Sequence, residues 1–179
     1  MGFYIVIVVL IIVIVIGVSS YNGLIEVEEN IKKAFANIDV LLMQRSDELP
    51  KLVDTVKAFV SHEKEIFANV LKARETMLSA KTVSEKAEAS GGISNALKSV
   101  FALSEAYPEL GSNENFMKLQ GRISDLENSI ADRREFYNES VNNFNIRIKT
   151  IPDVIIARII NLSAKEMFQV PEEKKEHVK

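Results

Sequence analysis

The amino-terminal part of the chain is an uninterrupted apolar run. Residues 1–18 contain no charged side chain, and Gly2 and Gly17 are the only members outside the hydrophobic set. A helix that spans a bilayer needs about 17–25 apolar residues, and Tyr21 follows where interfacial tyrosine is favoured. A cleaved secretory signal is the alternative, but no Lys or Arg precedes the run, as such a signal normally requires. The pattern therefore predicts an uncleaved transmembrane helix over residues 1–20.

The rest of the chain has the hydrophobic pattern of a helical bundle. Apolar residues recur at alternating intervals of three and four, as in helices that bury one face against their neighbours. No segment shows the strict alternation of a half-buried strand. The pattern predicts an all-α fold, with an N-terminal transmembrane helix followed by an antiparallel up-down bundle of long helices over residues 21–168. The bundle helices are predicted near residues 20–48, 50–80, 92–106 and 113–150, with a short helix in the tail.

Capping and turn residues predict where these helices break. Ser46 and Asp47 suit an N-cap and Pro50 suits a first helical turn, so a new helix is expected to begin near residue 50. Residues 80–92 are small and polar and end in two glycines, which indicates a connector. The charged residues 169–179 are expected to form a flexible tail.

Composition excludes several classes of function. The 179 residues include no cysteine and only two histidines, which removes thiolate chemistry and most metal-ligand sets. The formal net charge is −3, and no basic stripe carries interleaved aromatic residues, so no nucleic-acid partner is expected. The chain has no glycine-rich phosphate loop and no nucleophile with a matched base. We therefore expect no enzymatic activity and no cofactor or metal.

Charged residues interrupt the apolar faces of the predicted helices. Desolvating an isolated charge costs several kcal/mol, so each is expected to have a partner. Helical rise places Arg45 level with Glu105, which predicts an ion pair, and places Glu63 level with Glu127. Two carboxylates at one level also suit a divalent metal, but the Glu-x-x-His pairs of di-metal bundles are missing. The predicted structural polar layer, which would fix helix register, consists of Arg45, Glu63, Arg74, Glu105, Glu127 and Arg133.

The segment after residue 141 combines apolar and basic residues. If its helix runs antiparallel to the first one, helical rise places this segment at the height of the membrane interface. A net-basic, apolar-faced segment there suits an interfacial helix over anionic headgroups, and packing on the foot of the bundle is the alternative. Both interpretations predict that residues 141–168 are ordered and close to the anchor helix. The residues expected to make membrane-proximal contacts are Tyr137, Asn138, Asn145, Arg158 and Lys165.

Short motifs along the chain resemble a known family in their order and spacing. They include Tyr21-Asn22, Arg45, Leu49-Pro50, His62-Glu63, Ala73-Arg74, Tyr107-Pro108, Glu127-Asn128, Arg133-Arg134, Tyr137-Asn138, Asn145, Pro152 and Ala157. Over residues 3–168 the chain is similar to LemA family proteins. The resemblance implies a bacterial envelope protein with one N-terminal membrane helix, a helical bundle and no established enzymatic activity, and some relatives are associated with magnetosome membranes. Lys51, Gly111 and Ser112 depart from the usual pattern, all in predicted turns.

The function predicted from these features is that of a membrane-anchored envelope scaffold or adaptor of the LemA type, without catalysis. Its expected partners are the lipid bilayer and either other envelope proteins or further copies of itself. The alternative is a lipid-binding or membrane-remodelling protein that acts through its amphipathic C-terminal segment. Lys32 and Lys33 are the first basic residues after the apolar run, which favours a bundle on the cytoplasmic side of the inner membrane.

Overall fold

The computed structural model describes residues 1–171, and these residues form α-helices and no strands. The all-α prediction is confirmed. The part of the predicted tail that covers 172–179 lies outside the described residues. The helices are α1 (Gly2–Lys57), α2 (Lys64–Ser79), α3 (Val83–Ala106), α4 (Pro108–Gly111), α5 (Glu114–Arg147) and α6 (Asp153–Ile159).

Helix α1 continues without a break through Pro50, so the break predicted near residue 50 is wrong. Proline has no backbone N–H and leaves the carbonyl four residues earlier without its helical donor. That carbonyl belongs to Ser46, and it accepts a hydrogen bond of 3.2 Å from Nε of Arg74 on α2. Because another helix supplies the missing donor, α1 tolerates the proline and ends only at Lys57.

Helix α3 begins at Val83, nine residues before its predicted start. The backbone N–H of Glu85 donates to the Thr82 hydroxyl at 3.2 Å, and the Glu85 carboxylate accepts from the Thr82 N–H at 3.0 Å. This reciprocal arrangement is a capping box, which satisfies two backbone donors at a helix start. The connector predicted over residues 80–92 is therefore wrong, and Gly91 and Gly92 lie inside α3.

The chain divides into two compact units. Unit 1 contains residues 1–35 and 136–167, and unit 2 contains residues 36–135 together with the described residues 168–171. The core of unit 1 consists of Leu24, Ile31, Ala34, Tyr137, Val141, Phe144 and Ala157. The largest fully buried apolar side chains of unit 2 are Ile38, Leu42, Leu49, Leu52, Met77, Ile93, Leu97, Phe116 and Phe168.

The apolar amino-terminal part of α1 belongs to unit 1 and is exposed along its whole length. Its most apolar window of 18 residues has a mean hydropathy of 3.1, and none of that window is buried. Core helices of soluble proteins bury such surface, because leaving it in water is unfavourable. The segment is therefore long and apolar enough to cross a membrane, as predicted for residues 1–20.

Candidate functional site

The most deeply buried charge in unit 2 is the guanidinium of Arg45, whose side chain is 2% exposed. Its Nη1 donates to Oε1 of Glu127 at 3.3 Å and to the Ser94 hydroxyl at 3.2 Å. Its Nη2 donates to the Ser90 hydroxyl at 2.8 Å and to the Ser90 carbonyl at 3.2 Å. Helices α1, α3 and α5 thus meet on one cation, whose own N–H donors point in fixed directions at the acceptors around it.

Burial dominates the electrostatics of this arginine. Burial lowers the pKa of the Arg45 guanidinium, while the charge and the hydrogen bond of Glu127 oppose that shift. Arginine nevertheless keeps its proton in proteins, so a buried positive charge is retained. The Nε atom of Arg45 is buried and has no hydrogen-bond partner among residues 1–171. Glu127 remains 35% exposed and links the buried cation to solvent.

Arg45 forms one wall of an open cleft in unit 2 with a volume of about 350 Å³. We call it the Arg45 cleft. Its lining includes two further cationic side chains, Lys98 and Arg134, and one acidic side chain, Glu127. The apolar part of the lining is formed by Leu97, Phe101, Ile130 and Val170. The cleft therefore places cationic side chains beside an apolar surface.

The polar layer predicted from the sequence is brought together only in part. Arg45 and Glu127 form an ion pair, but Glu105 is exposed, so the predicted pairing of Arg45 with Glu105 is wrong. Arg133 is also exposed on α5, and Glu63 lies just before α2 and is half-buried. The predicted levels depend on a helix break near residue 50, and they are wrong because α1 continues to Lys57.

Arg74, another member of the predicted layer, has a different role. Its Nε bonds to the Ser46 carbonyl at Pro50, and its Nη2 lies 3.8 Å from the Asp47 carboxylate. It therefore supports α1 and does not join the Arg45 cluster.

Sequence reasoning missed two other buried charges in unit 2. Glu48 is almost fully buried and accepts from Arg122 Nε at 3.0 Å and from Lys51 at 3.2 Å. Lys86 is also buried, and its ammonium lies 2.6 Å from the Asp39 carboxylate. The spacing of three between positions 45 and 48 places both on one helix face, which is the signal that identifies Glu48.

In unit 1, a polar cluster joins α6 to α1. The Ser20 hydroxyl donates to the Asp153 carboxylate, and Arg147 Nε donates to the same carboxylate at 2.6 Å. Arg147 Nη1 also donates to the Gly23 carbonyl at 3.2 Å. A Cβ at Gly23 would lie 2.9 Å from Arg147 Nη2, so glycine gives the guanidinium room. We call Ser20, Gly23, Arg147 and Asp153 the α6 clamp.

The charge state of the clamp is set by its partners. Burial opposes ionisation of Asp153, but the hydrogen bonds from Arg147 and Ser20 outweigh it and lower the pKa of this carboxyl. Asp153 is therefore an anion at neutral pH, as its pairing with Arg147 requires.

Three of the predicted membrane-proximal residues hold the segment after α6 in place. The Tyr137 hydroxyl donates to the Glu166 carbonyl at 2.8 Å. Burial raises the pKa of this phenol, and the negative charge of Glu166 raises it further. The Asn145 amide bonds the Lys165 backbone twice, at 3.0 and 2.8 Å. The Lys165 ammonium lies 2.6 Å from the Glu28 carboxylate on α1.

The other two predicted membrane-proximal residues differ from these three. Arg158 is exposed on α6, and Asn138 is half-buried on α5.

Three residues of the segment after residue 146 contact α1. Arg147 contacts Gly23, Asp153 contacts Ser20, and Lys165 contacts Glu28.

No metal centre is formed by the described part of the chain. Within residues 1–171, no group of three or more His, Cys, Asp or Glu side chains is placed to hold an ion. His62, which adjoins Glu63 in sequence, is exposed in the segment between α1 and α2.

The apolar exposed part of α1 and the helical units that follow it define an all-helical membrane protein. The family model described as LemA family matches residues 34–179, which is most of the chain. The chain therefore belongs to the LemA family, and it is a LemA-type membrane protein.

Three curated relatives are magnetosome proteins. Over 81 residues the chain is 35% identical to magnetosome proteins MamQ 1 and MamQ 2 of Paramagnetospirillum magneticum, which covers 45% of this chain and 30% of each relative. It is 23% identical over 174 residues to magnetosome protein MamQ of Magnetospirillum gryphiswaldense, covering 83% of this chain and 64% of that relative. The chain thus spans less than two thirds of each of these relatives.

Proposed function

We propose that this protein is a membrane-anchored, non-catalytic adaptor that binds an acidic segment of a partner protein in the Arg45 cleft. The partner is another envelope protein or a second copy of the chain. The observation that carries the proposal is the combination of three cationic side chains with an apolar wall in one open cleft. Protein interfaces are enriched in Arg and aromatic residues at their buried centres, where such residues contribute most binding energy.

The cleft is preorganised for an anionic group. Ser90, Ser94 and Glu127 hold the Arg45 guanidinium in one orientation before any partner arrives. These partners use all four N–H groups of Nη1 and Nη2, so Arg45 contributes a fixed positive charge to the cleft, and the exposed Lys98 is the cation that can donate to a partner's carboxylate. A volume of about 350 Å³ is at the low end for ligand pockets, which suits one or two side chains of a peptide.

The wall beside the cations is also fixed. The Phe101 ring packs edge-on against the buried Phe116 ring, with 6.4 Å between ring centroids. An apolar surface held in this way can accept an aliphatic or aromatic side chain next to the acidic one. Lys98 is exposed at the cleft and supplies charge that a partner can meet first.

A non-catalytic role is supported by the chemistry of the cleft. Its one carboxylate, Glu127, is paired with Arg45. The exposed His62 is not among the cleft residues. General acid–base catalysis needs a group of suitable pKa within reach of the reacting proton.

The adaptor proposal is tested by crosslinking in native membranes followed by purification of the full chain in mild detergent. Lys98→Glu reverses a charge at the cleft, and Lys72→Glu makes the same change at an exposed site on α2 outside it. We expect crosslinked partner species with the wild type and Lys72→Glu, and a several-fold loss with Lys98→Glu. A monomer without any co-purifying protein would contradict the proposal, and so would equal crosslinking of the two variants.

We further propose that the protein lies in the bacterial inner membrane with its helical units in the cytoplasm. Lys32 and Lys33 support this orientation, because basic residues flanking a span are retained on the cytoplasmic side. The chain has no cysteine, so a single Leu78→Cys variant gives an unambiguous label on the exposed surface of α2. A membrane-impermeant maleimide should label it only after the cells are lysed. Labelling in intact cells with a permeable outer membrane would reverse the orientation.

A further inference from the structure

Helix α6 exposes large apolar side chains to the surroundings while it buries a carboxylate. Its buried positions are Asp153 and Ala157, whereas Ile155 is 58% exposed and Ile159 is 73% exposed. Ile151, just before the helix, is 84% exposed. A helix on the surface of a soluble domain buries its apolar stripe and exposes its charges.

The orientation of α6 is fixed at both ends. At its start, Asp153 is held by the α6 clamp. At its end, Asn161 adopts a left-handed φ of 55°, and the Leu162 N–H donates to the Ala157 carbonyl at 2.9 Å. The Asn161 N–H donates to the Arg158 carbonyl at 3.3 Å. These two bonds form a Schellman cap, in which Asn is one of the residues that tolerates the left-handed position. Ile155 and Ile159 therefore face outward because the clamp and the cap fix the orientation of the helix.

The clamp also sets the position of α6 along α1. Ser20 and Gly23 follow directly after the exposed apolar run that ends at Val18. With a rise of about 1.5 Å per residue, these contacts lie roughly 3–8 Å beyond the end of that run along the axis of α1. This is the depth at which a bilayer changes from hydrocarbon to headgroups.

We propose that Ile151, Ile155 and Ile159 form a membrane foot, which inserts into the interfacial layer of the bilayer that α1 spans. The foot goes beyond the adaptor function and rests on different residues, all in unit 1. Amphipathic helices of this kind bury their apolar face at the boundary between headgroups and acyl chains. Two features indicate that the bilayer covers these isoleucines. The first is the apolar part of α1, to which α6 is clamped. The second is the pair of exposed basic side chains Lys149 and Arg158, which complement anionic headgroups.

This assignment changes the residues that meet lipid. Lys165 was expected at the membrane surface, but its ammonium is engaged by the Glu28 carboxylate at 2.6 Å. Arg158 keeps the membrane-proximal role predicted for it, because its side chain is exposed, and the exposed Lys149 takes the place of Lys165.

The foot is tested on the full chain in lipid nanodiscs of phosphatidylcholine with phosphatidylglycerol. The native chain has no cysteine, so single variants Ile155→Cys, Leu78→Cys and Val15→Cys can each carry one spin label. Leu78 is the matched control, because it is an exposed apolar residue at 45% exposure on a helix of unit 2. Val15 lies within the apolar run and reports the hydrocarbon. Collisions with oxygen, which partitions into lipid, are compared with collisions with a water-soluble nickel complex.

We expect the label at position 155 to collide with oxygen several-fold more often than with the nickel complex, as at position 15, and position 78 to show the reverse. Replacing Arg158 with Glu in the Ile155→Cys variant should move the label toward water in anionic discs and have little effect in pure phosphatidylcholine discs. Equal nickel access at positions 155 and 78 would overturn the proposal. The proposal would also be overturned if neither reagent reached the label at position 155 and the spectra showed dipolar broadening between labels. That result would mean that a second copy of the chain covers this face.

Discussion

Removing one member of the Arg45–Glu127 pair should have an effect that depends on which member is removed. Arg45 is 2% exposed and Glu127 is 35% exposed. Glu127→Leu leaves a buried cation that cannot release its proton, with only Ser90 and Ser94 as partners. Arg45→Met leaves a carboxylate that already reaches water, and the methionine fills much of the vacated volume.

The size of the difference follows from the burial of the two groups. Hydrogen bonds to charged groups contribute about 1.5–3 kcal/mol, and breaking a buried ion pair costs about 3–5 kcal/mol. Because Glu127 is partly solvated, the lower part of these ranges applies, and we expect Glu127→Leu to lower the free energy of unfolding by about 2–3 kcal/mol. Arg45→Met should cost about 1 kcal/mol, and the double variant should be more stable than Glu127→Leu alone, because an apolar pair leaves no unpaired charge.

Thermal unfolding of the full chain in one non-ionic detergent, followed by circular dichroism, measures these differences. At about 2–4 °C per kcal/mol for a chain of this size, Glu127→Leu should lower Tm by roughly 4–12 °C. The double variant separates the pairwise energy from two independent losses. If Arg45→Met destabilises as much as Glu127→Leu, or if the double variant is the least stable of the three, the reasoning about the stranded cation is refuted.

Three further predictions concern single contacts. Thr82→Ala should cost about 1 kcal/mol and increase hydrogen exchange in the first turn of α3, whereas unchanged exchange there would contradict the capping box. Asn145→Asp keeps the acceptor for the Lys165 N–H but loses the donor to its carbonyl, so proteolysis after residue 160 should accelerate, and Asn145→Ala should accelerate it further. The lowered pKa of Asp153 contributes stability above the usual carboxyl value of 3.8 that is lost as pH falls through the folded value. The Tm difference between wild type and Asp153→Asn should therefore shrink in acid, and a constant difference would argue against the ion pair with Arg147.

The helical class and the exposed apolar run could be predicted from the sequence because both depend on local periodicity. The helix breaks could not, for two different reasons. Pro50 is a local signal that a distant contact overrides, since Arg74 supplies the donor that proline removes. The start of α3 does have a local signal, because Thr82 and Glu85 have the spacing of a capping box, whereas Gly91 and Gly92 in the same stretch are typical of a connector.

The site residues show the same division. Arg45 could be identified from the sequence as a charge that needs a partner, since a charged residue on an apolar helix face requires one. The predicted pairing of Arg45 with Glu105 is wrong, because it depends on a helix end near residue 50, whereas α1 ends at Lys57. An interfacial segment after residue 141 was one of two predicted alternatives, but which residues of α6 are exposed could not be predicted, since this depends on a clamp between residues 133 positions apart in sequence.

The distance in sequence between Ser20 and Asp153 also orders the steps of synthesis. A separation of 133 residues takes on the order of ten seconds to translate, whereas a helix forms in about a microsecond. Residues 36–135, the main segment of unit 2, are all synthesised in that interval. Residues 136–167, the second segment of unit 1, are synthesised only afterwards. During those seconds the buried face of α1 at Leu24, Ile31 and Ala34 has no cover from its own chain. A nascent chain is thus anchored and half assembled for a defined period, during which a chaperone or a membrane surface can reach that face.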